Sequence, residues 1–134
     1  MLNKESGLKG ICGVNDMREI IRRAESGDEH AQLAIDIYCY RIRKYIGAYN
    51  AVLGQVDALV FTGGIGENAA LIRQHCCEDL DHLGIVIDTQ KNEASSVEIS
   101  EIHGEKSQVR VLVVPTNEEL EIAKQTYELI LRNR

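Results

Sequence analysis

The 134-residue sequence predicts an α/β fold built on a small, mostly parallel sheet, and three observations predict it. Short apolar runs near Asp57–Phe61, Ile85–Ile87 and Val109–Val114 have the length and β-branched content of buried strands. Longer stretches repeat apolar residues at three- and four-residue steps, the period of an amphipathic helix. From Asp57 onward the two kinds alternate, as they do when helices cross over a parallel sheet.

The elements follow in order. Gly7, Gly10 and Gly13 recur every third position and mark the first fourteen residues as loop. A helix begins at Asn15 or Asp16, either of which can cap it, and stops at Ser26-Gly27. A longer helix runs from about Asp28 to Leu53, stopped by Gly54. Its stripe of Ala31, Ala34, Ile35, Tyr38, Ile42, Tyr45, Ile46, Tyr49, Val52 and Leu53 reads as core packing. Arg41, Arg43 and Lys44 read as its solvated side. A buried strand ends at Phe61, and a glycine loop leads into a helix from about Glu67 to Leu83. Ile85–Ile87 forms a second strand ending in Asp88. Residues 89–107 are polar and irregular, with an edge strand at Val97–Ile99. Val109–Val114 is the third buried strand, closed by Pro115. The last helix starts at Thr116, with Thr116 and Glu119 in capping-box spacing and Leu120, Ala123, Tyr127, Ile130 and Leu131 on its apolar face. So few strands behind two leading helices read as part of a larger sheet.

Composition narrows the function classes. Apolar residues make up 44% and allow a core, although aromatics are only 4%. The net charge of −6 argues against a nucleic-acid binder, which wants a basic patch. Cys12, Cys39, Cys76 and Cys77 lack zinc-ligand spacing and read as free cytosolic thiols. With no leader-like opening and no apolar run of the ~20 residues a membrane helix needs, the expectation is a cytoplasmic protein that meets no membrane.

Two strand-to-helix junctions carry the chemistry. In Thr62-Gly63-Gly64-Ile65-Gly66-Glu67-Asn68 the glycines permit close backbone approach to a ligand, at the carboxyl end of a strand where open α/β sheets bind ligands. Gly64, Gly66 and Ala69 also satisfy a relaxed dinucleotide fingerprint, with Asp88 standing 24 residues after Gly64 as a ribose-binding acid. An NAD-binding oxidoreductase unit is therefore a rival. Against it, Glu67 falls where a pyrophosphate would sit and repels it unless it points away, whereas Asn68 suits a sugar or base edge. At the second junction, Pro115-Thr116-Asn117-Glu118-Glu119, acidic residues at a helix start are explained by capping and the helix dipole. The alternative role is a carboxylate that helps hold hydrated Mg²⁺ against phosphates. His75, Asp79 and His82 fall on one helical face and read as solvated, with a metal site as the minor alternative.

Four segments, in order, resemble the acetate kinase family: Leu2-Asn3-Lys4-Glu5-Ser6-Gly7-Leu8 with Gly10 and Gly13, Tyr45-Ile46-Gly47-Ala48-Tyr49, Asp57 through Asn68, and Pro115-Thr116-Asn117-Glu118-Glu119. Together they span nearly the whole chain. The resemblance implies a partial ribonuclease-H-like domain of the actin-like ATPase and sugar-kinase superfamily. It implies that residues 1–134 are the later, C-terminal portion of the second domain, with the N-terminal domain and the start of the C-terminal domain absent. The implied reaction transfers the ATP γ-phosphoryl group to acetate with Mg²⁺, giving acetyl phosphate and ADP. The implied partners are ATP or ADP, acetate through the missing part, and a second copy in a homodimer. By resemblance, Gly64, Ile65, Gly66, Glu67 and Asn68 line the adenosine pocket, Asp16, Met17 and Arg18 close it from the other side, and Glu118 is the magnesium-associated glutamate. Met17 stands where an aromatic residue is expected, and Cys12 where serine is usual. The family's phosphoryl-transfer residues belong to earlier segments, so no catalytic residue is assigned and the chain alone is expected to be inactive. The alternatives are a propionate or butyrate kinase, the NAD-binding unit, and a non-catalytic dimerisation module.

Overall fold

The computed structural model describes residues 5–94 and 98–132. The part of the first resemblance segment at residues 1–4, and Val97 of the expected edge strand, lie outside them. The first glycines are not all loop: α1 (Leu8–Cys12) forms between Gly7 and Gly13. Two longer helices follow, α2 (Met17–Glu25) and α3 (Glu29–Leu53). Asp16 caps α2 by accepting from the Arg18 amide, and Asp28 caps α3 by accepting from His30 and Ala31. The chain then enters β1 (Ala58–Phe61), the short α4 (Gly63–Asn68) and α5 (Ala70–Cys77). A 3₁₀ turn (Asp81–Leu83) and α6 (Thr89–Glu93) lead to β2 (Ser100–Glu101), β3 (Arg110–Val113) and α7 (Glu118–Arg132).

The sheet has three strands in the order β1-β3-β2. β1 runs parallel to β3, with Ala58 opposite Arg110 and Phe61 opposite Val113, and β2 is antiparallel to β3. The small α/β sheet matches the expected fold class; its membership differs. Ile85–Ile87 is not a ladder strand. Its backbone is spent on the 102–109 segment, where Gly104 donates to the Val86 carbonyl and Ser107 Oγ accepts from the Val86 amide. Only the bridge between Ile87 and His103 remains. The edge strand lies at Ser100–Glu101, just past the expected Val97–Ile99.

The expected helix from Glu67 to Leu83 is three pieces. Gly63, at φ 72°, takes the left-handed turn that lets the chain pass from β1 straight into α4. So the glycines form a helix of their own rather than a loop before one. Ala69 breaks α4 from α5 with extended backbone, and Asp79, at φ 59°, follows the end of α5. This break disperses His75, Asp79 and His82, and among the described residues no group of three or more His, Cys, Asp or Glu is placed to hold a metal ion.

The core joins α2, α3, α5 and the sheet. Ile20, Ala31, Ala34, Ile35, Ile72, Cys76, Ile85, Ile102, Val111 and Val113 are all buried. Each fully buried large aliphatic side chain contributes about 1.5–3 kcal/mol. The stripe of α3 is fully buried only over its first half; Ile42 and Ile46 are half-buried against the core, and the rest of the stripe is exposed. Tyr45 and Tyr49 stack at 6.3 Å on the surface, and Val52 is 81% exposed. Arg43 departs from the solvated side: its guanidinium donates to the His75 carbonyl at 2.7 Å and so ties α3 to the end of α5. The expected apolar face of α7 is wholly exposed. All four cysteines are free thiols, and burial pushes Cys77 up to about 12, which keeps it protonated. Among the described residues no helix is long and apolar enough to cross a membrane.

Candidate functional site

A cleft of about 520 Å³ separates the start of α2 from α4. Asp16, Met17, Arg18 and Ile21 form one wall, and Gly64, Ile65, Asn68 and Ala69 form the other. Forty-odd residues of sequence lie between these walls, and α3 packs against both α2, which carries one wall, and α5, which follows α4 directly.

Each wall has a local cause. The Asp16 carboxylate accepts from the Arg18 amide at 2.9 Å and from its guanidinium at 2.8 and 3.1 Å. The hydrogen bond from the Arg18 side chain, then that from its backbone, holds the Asp16 carboxyl down at about 2. Cap and ion pair together fix the first turn of α2 at the cleft mouth, with Arg18 exposed. Met17 is buried, so it forms the floor of that wall and offers no stacking plate. On the other side, Asn68 donates to the Gly64 carbonyl at 2.9 Å and closes α4 on itself. A Cβ on Gly66 would stand 3.2 Å from the Phe61 backbone carbon, so any other residue here would push α4 a few tenths of an ångström from β1.

Of the expected pocket residues, Asp16, Met17, Arg18, Gly64, Ile65 and Asn68 line this cleft, and Gly66 and Glu67 do not. Gly66 faces Phe61. Glu67 points away from the cleft: its Oε1 accepts from the Thr116 amide at 2.9 Å and from the Thr116 hydroxyl at 2.8 Å. These bonds lower its pKa below the usual carboxylate range. Thr62 makes a parallel stitch, donating from its hydroxyl to the Val114 carbonyl at 2.8 Å. The two strand-to-helix junctions are thus bound to each other. Because Thr116 is engaged by Glu67, the expected capping box does not form. Asn117 takes its place, accepting from the Leu120 amide at 3.0 Å. Glu118 follows in the first, exposed turn of α7. One exposed carboxylate is a donor set suited to hydrated Mg²⁺, which is commonly held by one or two carboxylates plus phosphate oxygens.

The dinucleotide arrangement is not built. Asp88 is spent capping α6, accepting from the Lys91 amide, and no ladder strand precedes it. Ile21 was not singled out by sequence, although it stands one turn after Met17 on the same face of α2.

The acetokinase family profile matches residues 1–124. The chain belongs to the acetokinase family. It is 61% identical over 132 residues to an acetate kinase of Syntrophobacter fumaroxidans, covering 98% of this chain and 32% of that relative. The crystal structure of Porphyromonas gingivalis acetate kinase superposes with a TM-score of 0.85 at 46% identity, covering 96% of this chain and 33% of the other. A propionate kinase structure from Francisella tularensis superposes with a TM-score of 0.83 at 50% identity, covering 92% and 31%. The chain therefore spans about one third of the length of the relatives it matches. Its small sheet with flanking helices is part of the actin-like ATPase fold of those kinases.

Proposed function

We propose that this chain supplies the adenosine-side wall of the ATP site in an acetate kinase. The observation that carries the reading is the cleft itself, where Asp16, Met17 and Arg18 face Gly64, Ile65 and Asn68. Ile21, Ile65 and Ala69 give an apolar slot for a purine, and the Asn68 amide stands at its rim to bond a sugar or base edge. Gly66 shapes this wall from behind, and Glu67 links it to the start of α7.

In the whole kinase the reaction is transfer of the ATP γ-phosphoryl group to acetate. Mg²⁺, when bound, neutralises phosphate charge, and Glu118 is the residue of this chain that would hold it through water. Phosphoryl transfer depends on positioning and on charge stabilisation by several donors. The cleft offers a single basic side chain, Arg18, already paired with Asp16. The remaining donors and the carboxylate pocket come from the other two-thirds of the enzyme, in keeping with a placement in the later part of the second domain. The chain alone therefore turns over no acetate, and mixing with the complementary part restores turnover. The exposed apolar faces of α3 and α7 support association with a second copy.

Calorimetric titration tests the reading. ATP binds and NAD does not, and Asn68→Ala weakens ATP binding about tenfold, the loss of one good hydrogen bond. Preference for NAD would overturn it. The 50% identity to a propionate kinase favours one second reading, a kinase of a longer short-chain acid. Comparing acetate with propionate in the reassembled enzyme separates the two.

A further inference from the structure

α4 is poorly equipped to hold its own shape. It has six residues, three of them glycine, and the Thr62 side chain makes no capping bond. Glycine disfavours a helix more than any other residue but proline. Yet α4 presents Gly64, Ile65 and Asn68 to the cleft. Its support is Arg73 on α5, which is 1% exposed. The Arg73 guanidinium donates through Nη1 to the Gly66 and Glu67 carbonyls, both at 2.9 Å. These carbonyls stand at the C-terminal end of α4, among those a helix leaves without an internal partner, where a cation also complements the helix dipole. The same guanidinium donates through Nε to Asn92 Oδ1 and through Nη2 to the Asn92 carbonyl, both at 2.7 Å. Asn92, itself buried on α6, donates back to the Ala70 carbonyl at 2.9 Å. Burial lowers the Arg73 pKa below its usual value, but a guanidinium remains charged at any working pH. A buried cation of this kind, bonded to backbone carbonyls on α4 and α6, fixes the angle between those elements.

We propose that Arg73 is a positioning residue for the nucleotide wall. It does not line the cleft, whose wall on this side is Gly64, Ile65, Asn68 and Ala69. It holds α4 at the register that keeps the wall formed, with Asn92 as its brace. Lysine cannot substitute, since one ammonium cannot span the planar fork from α4 to α6.

The proposal rests on the nucleotide reading of the cleft, and its test separates the two. In Arg73→Lys the amides of residues 67–69, which close α4, exchange with solvent about tenfold faster, while those of α3 and β3 keep their protection. ADP affinity falls by about the same factor, because part of the binding energy is spent on re-forming α4. Asn92→Ala, which leaves the guanidinium in place, produces the same pattern at smaller amplitude. Exchange in α4 unchanged in both variants overturns the proposal whatever ADP does. Faster α4 exchange with ADP affinity unchanged also overturns it, since the wall then does not depend on Arg73. If Arg73→Lys does not fold, Asn92→Ala alone decides by the same two readouts. A parent chain that binds no ADP overturns the nucleotide reading, and the claim on affinity with it, while the exchange experiment still reports on the clasp.

Discussion

The two halves of α3 obey one sequence pattern and meet different fates. Ala31, Ala34, Ile35 and Cys39 are packed to within 2% of full burial. Tyr45, Tyr49, Val52 and Leu53 continue the same stripe and stand in solvent, each more than half exposed. Helical periodicity fixes which face is apolar; what covers that face depends on which other elements are present. α1, α2 and α5 pack against α3, while among the described residues the hollow beside Tyr49 and Leu53 at its far end is bordered by Val56, Ala58, Leu59 and Ile85. α7 repeats the case, with an apolar face that no described element covers. Contiguous exposed apolar surface of this kind is where association occurs.

The comparison can be broken by truncating each half. Ile35→Ala should destabilise the chain by about 2–5 kcal/mol in urea titration, the cost of a large-to-small change in a packed core. Val52→Ala should change stability by no more than about 0.5 kcal/mol at low concentration. If the two cost the same, the second half of α3 is covered in solution by another copy. Sedimentation at rising concentration, with and without Tyr49→Lys, reads that coverage directly: the lysine should lower the associated fraction.

A smaller effect sharpens the contrast at the second junction. Thr116→Val removes the hydroxyl from Glu67 but keeps the amide bond, and the early amides of α7 should exchange a few-fold faster than in the parent. The cleft residues of α2 should be unaffected. Unchanged exchange would mean that Glu67 does not steady the start of α7.

The smallest effect is on pH. Asp16 titrates at about 2 in the folded chain against an ordinary 3.8, and Glu19 at about 2 against 4.5. Their folded values lie below their unfolded ones, so the stabilisation is fully present above the ordinary values. It is lost as pH falls through them towards about 2. The first turn of α2 should therefore fray between about pH 4 and pH 2, seen as loss of amide protection at residues 17–20. Asp16→Asn keeps a good cap but loses the ion pair, so Asp16's share of the pH dependence should vanish.

Much of this was readable from residue order. Asp16 and Asp28 announced their helices, and Gly54 stopped the long one, because capping is a local matter. The run Val109–Val114 announced β3 through its β-branched residues. The cleft was legible only through resemblance, since no local rule tells Asp16 that it faces Asn68. The failures share a cause. Gly63–Gly66 looked like loop because glycine is a poor helix former, and the groups that meet this stretch, the Arg73 guanidinium and the Phe61 backbone, lie outside it. Arg43 looked solvated because arginine usually is, and the carbonyl that holds it comes from α5; nothing in the residue order singled out Arg73, whose partners lie on α4 and α6. Thr116 lost its capping box to Glu67, 49 residues away. Ile85–Ile87 has the composition of a strand and is buried like one at Ile85, but its hydrogen bonds go to a loop.

The central claim is that the cleft between α2 and α4 holds the adenosine nucleotide. The most direct measurement is an ADP titration of the isotopically labelled chain, followed by amide chemical shifts. The account predicts saturable shifts at Asp16, Arg18, Gly64, Ile65 and Asn68, with none from NAD. Shifts confined to the exposed half of α3, or a response to NAD at the same residues, would contradict it.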